Sequence, residues 1–508
     1  MINSVLMKVM HNTDDVTLLK LQISEQQQRI DYLENQIRLF RHQRFGPSSE
    51  TFSPDQLSLL DNKTDDNKTL VALQNDPNNK TLVKSHQRRK HSKIIINDDI
   101  AVERVIIDLD EHEKTCSCCN TLMTHIGEDT TRQVEYIPAS LVAKDFVRLK
   151  YACKACESTI KRATLPKRLI PKSIASPSLM AYLIVNKFVD HLPLHRIERM
   201  FQRLGLGLPR NVQCDWLLKV AEKLLPLYQL LKQQALSGPR VWTDDTVIPM
   251  QNDQKDRKRT IQARLWVYIG GSLNDPPTVF YDFTRSRSQE GPLTILAGYQ
   301  GYLHADAYPG YDRLYTQENI KEVACWFHAR RKFHEVAVLT KKPHRAHIAL
   351  DYIRKLCVIE RTIKEQKLSF DEIRQYRQVH AKPILKEYKE WLNNQINAVS
   401  TGAFKSALKY TLNQWDALNT YLEQGYLKMD NNDSERRMKP IALGRKNYMF
   451  VGSERGGYAA AVYYSIVETC KSFNINPLEY LADILTQLPN CKSEEDYAAL
   501  LPGNWIKK

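Results

Sequence analysis

The sequence predicts a multidomain protein in which a helical and cysteine-bearing N-terminal third precedes an α/β domain that is split by a helical insertion. Three observations predict it. An apolar stripe at heptad spacing opens the chain, two Cys-x-x-Cys knuckles follow, and from Val241 onward strand-like runs with carboxylates at their ends alternate with helical patterns. The 508 residues suit about three domains, and a hydrophobic fraction of 42% is enough to build cores. An excess of 73 Lys and Arg over 58 Asp and Glu leaves a formal charge of +15. Such a chain favours a polyanion, because Lys and Arg release counterions from nucleic acid. A membrane is excluded as partner: the longest apolar stretch, Leu179 to Val189, is broken by Asn186 and Lys187, and about 20 apolar residues are needed to span. The first residues show no secretory signal, so a cytoplasmic, reducing location is expected, with the cysteines as thiols or metal ligands.

Residues 1–46 are expected to form a coiled-coil helix. Val16, Leu19, Ile23, Gln26, Ile30, Leu33, Ile37 and Phe40 alternate steps of three and four, with Gln26 as the polar position that fixes register, and Gly46-Pro47 ends the pattern. This predicts a homodimer or higher oligomer. Residues 47–99 read as a flexible polar linker, with Asn-Lys-Thr repeated at Asn62, Asn67 and Asn79 and a basic run from His86 to Lys93. Residues 100–172 read as a zinc-binding domain, a zinc ribbon. Cys116, Cys119, Cys153 and Cys156 supply the four thiolates of a closed tetrahedral site, and β-like stretches over Arg132 to Ile137 and Leu141 to Tyr151 join the knuckles. Residues 173–238 are helical. A helix from Leu194, a turn with Gly205 and a second helix opening at Asn211 outline a helix-turn-helix-like DNA-binding candidate, and a plain helical hairpin has the same outline.

Residues 239–475 carry the chemistry. Strands are expected at Val241 to Pro249, Arg264 to Ile269 and Thr278 to Phe283, then a short helix at Pro292 to Gly298, a strand at Gly301 to Asp306 and a last strand at Glu322 to Phe327. Three strands, a helix and two further strands are the order of an α/β ribonuclease-H-like sheet. Phosphoryl transfer there uses two Mg²⁺ or Mn²⁺ ions, and such hard cations require carboxylate oxygens. Asp244 and Asp306 lie on strands that are neighbours in that order. Glu435 is expected from a later helix capped at Asp430 or Asn431 and stopped by Pro440, beyond a helical insertion over about 330–425. Arg330, Arg331, Lys332, Arg436, Arg445 and Lys446 are candidates for phosphate contacts, and Asp245 and His328 are auxiliary candidates. Residues 476–508 read as a C-terminal helical tail.

Trp242-Thr-Asp-Asp-Thr, Arg264-Leu-Trp-Val-Tyr, Leu303-His-Ala-Asp-Ala-Tyr-Pro-Gly-Tyr, Cys325-Trp-Phe-His-Ala-Arg-Arg-Lys-Phe, Asp430-Asn-Asn-Asp-Ser-Glu-Arg and Leu443-Gly-Arg-Lys-Asn-Tyr together resemble the transposase of the insertion sequence 66 family. The resemblance covers nearly the whole chain. It implies a bacterial DDE transposase with Asp244, Asp306 and Glu435 as triad. Such an enzyme cleaves element ends with divalent metal, joins them to target DNA and often travels with small accessory proteins. The chain departs from the family in having Asp244-Asp245-Thr246-Val247 in place of Asp-Glu-Thr-Pro, which makes Asp245 a stand-in candidate, and in lacking glycines after the second cysteine of its first knuckle. Two alternatives share these features: an inactive DNA-binding regulator derived from a transposase, and a ribonuclease-H-like nuclease that cuts branched DNA.

Overall fold

The computed structural model describes Gln26 and residues 140–152, 160–162, 164–252, 260–316, 319–339 and 345–506. The remainder of the predicted coiled coil, the polar linker and the four knuckle cysteines Cys116, Cys119, Cys153 and Cys156 lie outside the described residues; Gln26 is helical and exposed. Of the strand expected over Leu141 to Tyr151, only the last two residues belong to one. Strand β1 (Lys150–Ala152) pairs antiparallel with β2 (Ile160–Arg162), and residues 140–149 have no regular structure. Their apolar side chains Leu141, Val142, Phe146, Val147 and Leu149 are exposed, so the period-two pattern there has no face to bury.

Four helices follow, α1 (Pro177–Phe188), α2 (Leu194–Arg203), α3 (Arg210–Lys223) and α4 (Leu225–Leu236). Ser176 caps α1 by accepting a bond from the Leu179 amide at 3.1 Å, and Pro177 fills the first turn, where no amide is needed. Gly205, at φ +84°, makes the turn between α2 and α3 that a side chain resists. Helix α3 opens one residue ahead of Asn211 and turns Trp216, Leu217 and Val220 inward, while Asn211, Cys214 and Lys219 stay outside that buried face.

The five main strands are β3 (Arg240–Gln251), β4 (Thr260–Gly270), β5 (Thr278–Thr284), β6 (Gly301–Ala305) and β7 (Ile320–Ala324), with α5 (Glu290–Ile295) before β6 and α6 (Asp312–Tyr315) before β7. Their order is β5-β4-β3-β6-β7; the first three are antiparallel neighbours, and β6 runs parallel to both β3 and β7. Leu265 through Tyr268 are fully buried, as a strand covered on both faces must be. The open edge of β5 is closed by a helix, α13 (Glu454–Ser472): Ser465 Oγ accepts from the Tyr281 amide at 2.8 Å, and Thr469 Oγ1 bonds both backbone groups of Val279. Covering the edge removes unpaired donors and acceptors that otherwise recruit other strands.

The strand expected over Glu322 to Phe327 ends at Ala324, because Trp326 begins α7 (Trp326–Leu339). Its amide donates to Met429 O at 2.9 Å and its indole to Leu418 O at 2.8 Å, which ties the turn into the insertion. The insertion consists of α7, α8 (Arg345–Gln366), α9 (Phe370–Ala398), α10 (Ala403–Asn413) and α11 (Trp415–Asn419), and it has its own core around Trp326, Tyr388 and Leu392. Helix α12 (Asn432–Tyr448) follows. Pro440 does not stop it, contrary to the sequence expectation. The helix runs two turns further because Met438, Ile441 and Gly444 are buried beneath it, and such packing offsets the roughly 3 kcal/mol that an interior proline costs. The segment expected as a tail is packed: α14 (Pro477–Gln487) lies against α1 and buries Tyr480, Leu481, Ile484 and Leu485, and α15 (Glu494–Ala498) follows. No helix among the described residues is long and apolar enough to cross a membrane.

Candidate active site

Because β3 and β6 are parallel with Trp242 opposite His304, the positions two residues further along each chain, Asp244 and Asp306, fall side by side at the end of β6. Helix α12 is laid across β3 by Asn431 Nδ2, which donates to Thr243 O at 3.0 Å, and by Arg445 Nη1, which donates to Thr246 Oγ1 at 3.0 Å and Val247 O at 2.5 Å. Its first turns thereby carry Glu435 to the same region. Arg445, expected as a phosphate contact, is committed to the backbone of β3.

The charges of Asp306 and Glu435 act on Asp244, and that of Asp306 acts on Glu435. Burial, then the negative charges of Asp306, Asp245 and Glu435, push Asp244 up to about 8, although the Asp245 amide donates to its Oδ1 at 2.8 Å. Asp306 is raised by burial and by Asp245, against the pull of Arg287. Glu435 is raised by burial, Asp430 and Asp306, against the pull of Arg331 and Lys439.

Asp245 points elsewhere. Its side chain is 2% exposed and is gripped by Arg264 Nη1 at 2.8 Å and Arg287 Nη2 at 2.7 Å. Arg287 also stands 3.6 Å from Asp306 Oδ2, and its guanidinium lies 4.0 Å from the ring centre of Tyr308, whose hydroxyl donates to Arg287 O. Sequence reading missed Arg287; the Arg285-Ser-Arg287 run directly after β5 was the available signal. His328 sits in the first turn of α7 with Nε2 3.7 Å from Glu435 Oε1. Burial and the charges of Arg331 and Lys332 push it down to about 4, so it faces Glu435 as a neutral ring at neutral pH. Arg331 Nη2 lies 3.9 Å from Glu435 Oε1 and is exposed, as are Lys332 and Lys446, while Arg330 is partly buried. Arg436, also exposed, is paired with Asp433.

Whether the site suits a metal turns on its donors. Oxygen-only, partly buried carboxylates whose charges oppose one another are the set a hard divalent cation relieves, and Asp244 with Asp306 fits that description. Among the described residues no three His, Cys, Asp or Glu side chains stand close enough to share one ion. The set therefore divides into the Asp244 and Asp306 pair and Glu435, which faces His328 and Arg331.

The raised carboxyl has a stability consequence. With Asp244 at about 8 in the fold and near 3.8 when unfolded, the folded state retains a proton that the unfolded chain has released between those values. Stability of the metal-free protein therefore falls as pH rises through that window. Asp244→Asn keeps the acceptor for the Asp245 amide and removes the charge. In chelator at pH 8 it should unfold at a higher temperature than the parent, by on the order of 1–3 kcal/mol of stability, and the difference should close at pH 4. Thermal unfolding at the two pH values checks this.

Residues 172–459 match the family described as Transposase IS66 family, residues 113–157 the zinc-finger binding domain of transposase IS66, residues 465–502 the IS66 C-terminal element and residues 32–105 the Transposase C of IS166 homeodomain. Among curated proteins the chain is 34% identical over 417 residues to the uncharacterized protein y4jD of Sinorhizobium fredii, covering 79% of this chain and 80% of that one. It is 31% identical over 500 residues to y4hP of the same organism, covering 94% and 88%. With its central family match spanning the helices, the sheet, the insertion and the carboxylates, the chain belongs to the IS66 transposase family.

Proposed function

We propose that the chain is a DDE transposase that cleaves DNA at the ends of its mobile element and joins them to target DNA, with Asp244, Asp306 and Glu435 as the reacting triad. The observation that carries the proposal is the convergence of these three carboxyls from β3, the end of β6 and α12, where the charges of Asp306 and Glu435 act on Asp244 and that of Asp306 acts on Glu435. The strand order β5-β4-β3-β6-β7 supports a ribonuclease-H-like reading of the sheet. The Asp244 and Asp306 pair would hold one Mg²⁺ or Mn²⁺ and Glu435 would help to hold a second, and the chemistry supplied there would be activation of the attacking oxygen and stabilisation of the leaving one. The chain's own residues do the rest. Arg331, Lys332 and Arg330 offset phosphate repulsion at the start of α7. Neutral His328, whose Nδ1 has no hydrogen-bond partner among the described residues, offers a ring nitrogen for orienting water or a phosphate oxygen. Arg264 and Arg287 clamp Asp245, so that Asp245 positions the loop after β5. Cleavage of linear element ends in competition with four-way junctions tests the reading. Preference for junctions would make the chain a branched-DNA nuclease, and binding without cleavage would make it an inactive regulator.

We also infer that Cys116, Cys119, Cys153 and Cys156, all inside the zinc-finger match, hold one structural zinc. Metal analysis of protein purified without chelator should find about one zinc per chain, and Cys153→Ala should lose it.

A further inference from the structure

A cavity of about 550 Å³ opens beside the first residues of β3, between the β4–β5 turn, the start of α12 and α13. Four cations line it, Arg240, Lys428, Arg436 and Arg437. Of its carboxylates, Asp433 is held by Lys428 and Arg436, and Glu468 by Arg437 and Lys471, while Asp275 is exposed at the rim. Arg240 is different. It is partly buried, its guanidinium lies 4.7 Å from the ring centre of Trp242 and donates to Tyr426 O, and no carboxylate pairs with it among the described residues. Its nearest negative charge, Asp433, is already shared between Lys428 and Arg436, so a partly desolvated guanidinium is left with donors that an anion would complete.

Trp242 adds a second signal. It lines the same cavity, is 3% exposed, and its Nε1 has no hydrogen-bond partner among the described residues, although a buried indole N–H normally finds one. Its ring is fixed by stacking on His304 at 4.9 Å and by Arg240 and Lys428. An indole already covered on its faces is unsuited to stacking a base. What remains on offer is one N–H donor beside a guanidinium with spare donors, which is the equipment for an oxyanion. Trp242 also lies on the same strand face as Asp244, two residues and so about 7 Å away along β3.

We infer that this cavity is a phosphate-binding site, completed by Arg240 and the Trp242 N–H, which takes a backbone phosphate of the DNA strand beside the one at Asp244. The inference rests on DNA being the substrate of the neighbouring carboxylates. It is tested without cleavage, so its failure leaves the triad reading standing, and failure of the triad variants leaves this site standing.

The full-length, zinc-loaded protein is titrated with a mixed-sequence DNA duplex without added Mg²⁺ or Mn²⁺, and log K is followed against log salt concentration. Arg240→Gln should flatten the slope by about 0.9, as expected when one phosphate is no longer neutralised, and weaken binding roughly tenfold. Arg240→Lys, which keeps the charge, should retain the parent slope. An unchanged slope in Arg240→Gln, or an equal flattening in Arg240→Lys, overturns the assignment. So does a free-anion site, seen as inorganic phosphate raising the melting temperature of the parent while the DNA slope of Arg240→Gln stays at the parent value. Should Arg240→Gln fail to fold, Trp242→Phe reads the same site with the ring stack intact: roughly threefold weaker DNA binding is expected, and parent affinity overturns the proposal.

Discussion

Single replacement of Asp244, Asp306 or Glu435 by alanine should lower Mg²⁺-dependent end cleavage by about a thousandfold or more while leaving DNA binding of the zinc-loaded protein, without added Mg²⁺, equal to or slightly tighter than that of the parent. The size follows from what a metal-bound site supplies, several kcal/mol of transition-state charge stabilisation, at about 1.36 kcal/mol per factor of ten. The direction for binding follows from sign. A charged carboxylate repels the phosphate it works on, and the neighbouring cations Arg331 and Lys332 gain when that repulsion goes, whereas metal-free Asp244 keeps its proton near neutral pH and its replacement should leave binding at the parent value. Asp245→Asn is the internal control. Its carboxylate serves Arg264 and Arg287 at 2.8 and 2.7 Å, so its removal should loosen the loop after β5 and cost roughly tenfold. Should Asp245→Asn abolish cleavage while Asp244→Asn spares it, the reacting carboxylate on β3 would be Asp245. The measurement is single-turnover cleavage of a labelled element end with binding followed in parallel.

The succession of strands was legible because β4 and β5 are dense runs of β-branched and aromatic residues and the shorter β6 and β7 follow at turn signals, and Asp244 and Asp306 fall where apolar runs meet polar residues. What sequence patterning misjudged was set by tertiary packing. Cys325-Trp326-Phe327 continues the apolar run of β7 and reads as strand, yet the Trp326 indole reaches Leu418, 92 positions away, and the chain turns into a helix. Pro440 reads as a helix stop, but the buried face of α12 carries the helix through it. Arg445 and Lys446 look alike as basic residues near a carboxylate; only the fold tells that the first is spent on Thr246 and Val247 and the second is exposed. Arg287, Arg240 and Trp242 were invisible for a related reason. Their meaning depends on which partners they have or lack, and a sequence does not state that.

Arg377→Ala is expected to destabilise the insertion by about 3–5 kcal/mol, the range for stranding one member of a buried ion pair, and to impair cleavage although Arg377 lies outside the triad. Its side chain is 3% exposed on α9, paired with Glu360 of α8 at 2.7 Å. The same guanidinium donates to the carbonyls of Tyr421 at 2.9 Å, Gln424 at 3.1 Å and Leu427 at 3.0 Å. One cation thus holds three backbone acceptors of the segment that leads from the insertion into α12. Alanine leaves Glu360, 15% exposed, without its partner and removes the guanidinium from the carbonyls of Tyr421 and Leu427, while Gln424 O keeps the Leu427 amide; such stranded groups cost more than the bond contributes when made. Glu435 is reached from Leu427 in eight residues, among which Met429 accepts from the Trp326 amide and Asn431 fixes α12 to β3. Slack introduced at Leu427 therefore arrives at the helix that carries Glu435, where misplacement by about 1 Å can cost a hundredfold in rate. Glu360→Gln separates the two effects. It keeps a neutral acceptor for Arg377 and leaves the three carbonyl bonds in place, so it should cost stability but largely spare cleavage. Thermal unfolding and limited proteolysis across residues 345–427 report the first quantity, and single-turnover cleavage the second. An Arg377→Ala protein with parent stability and parent cleavage would show that the insertion does not hold α12 in position.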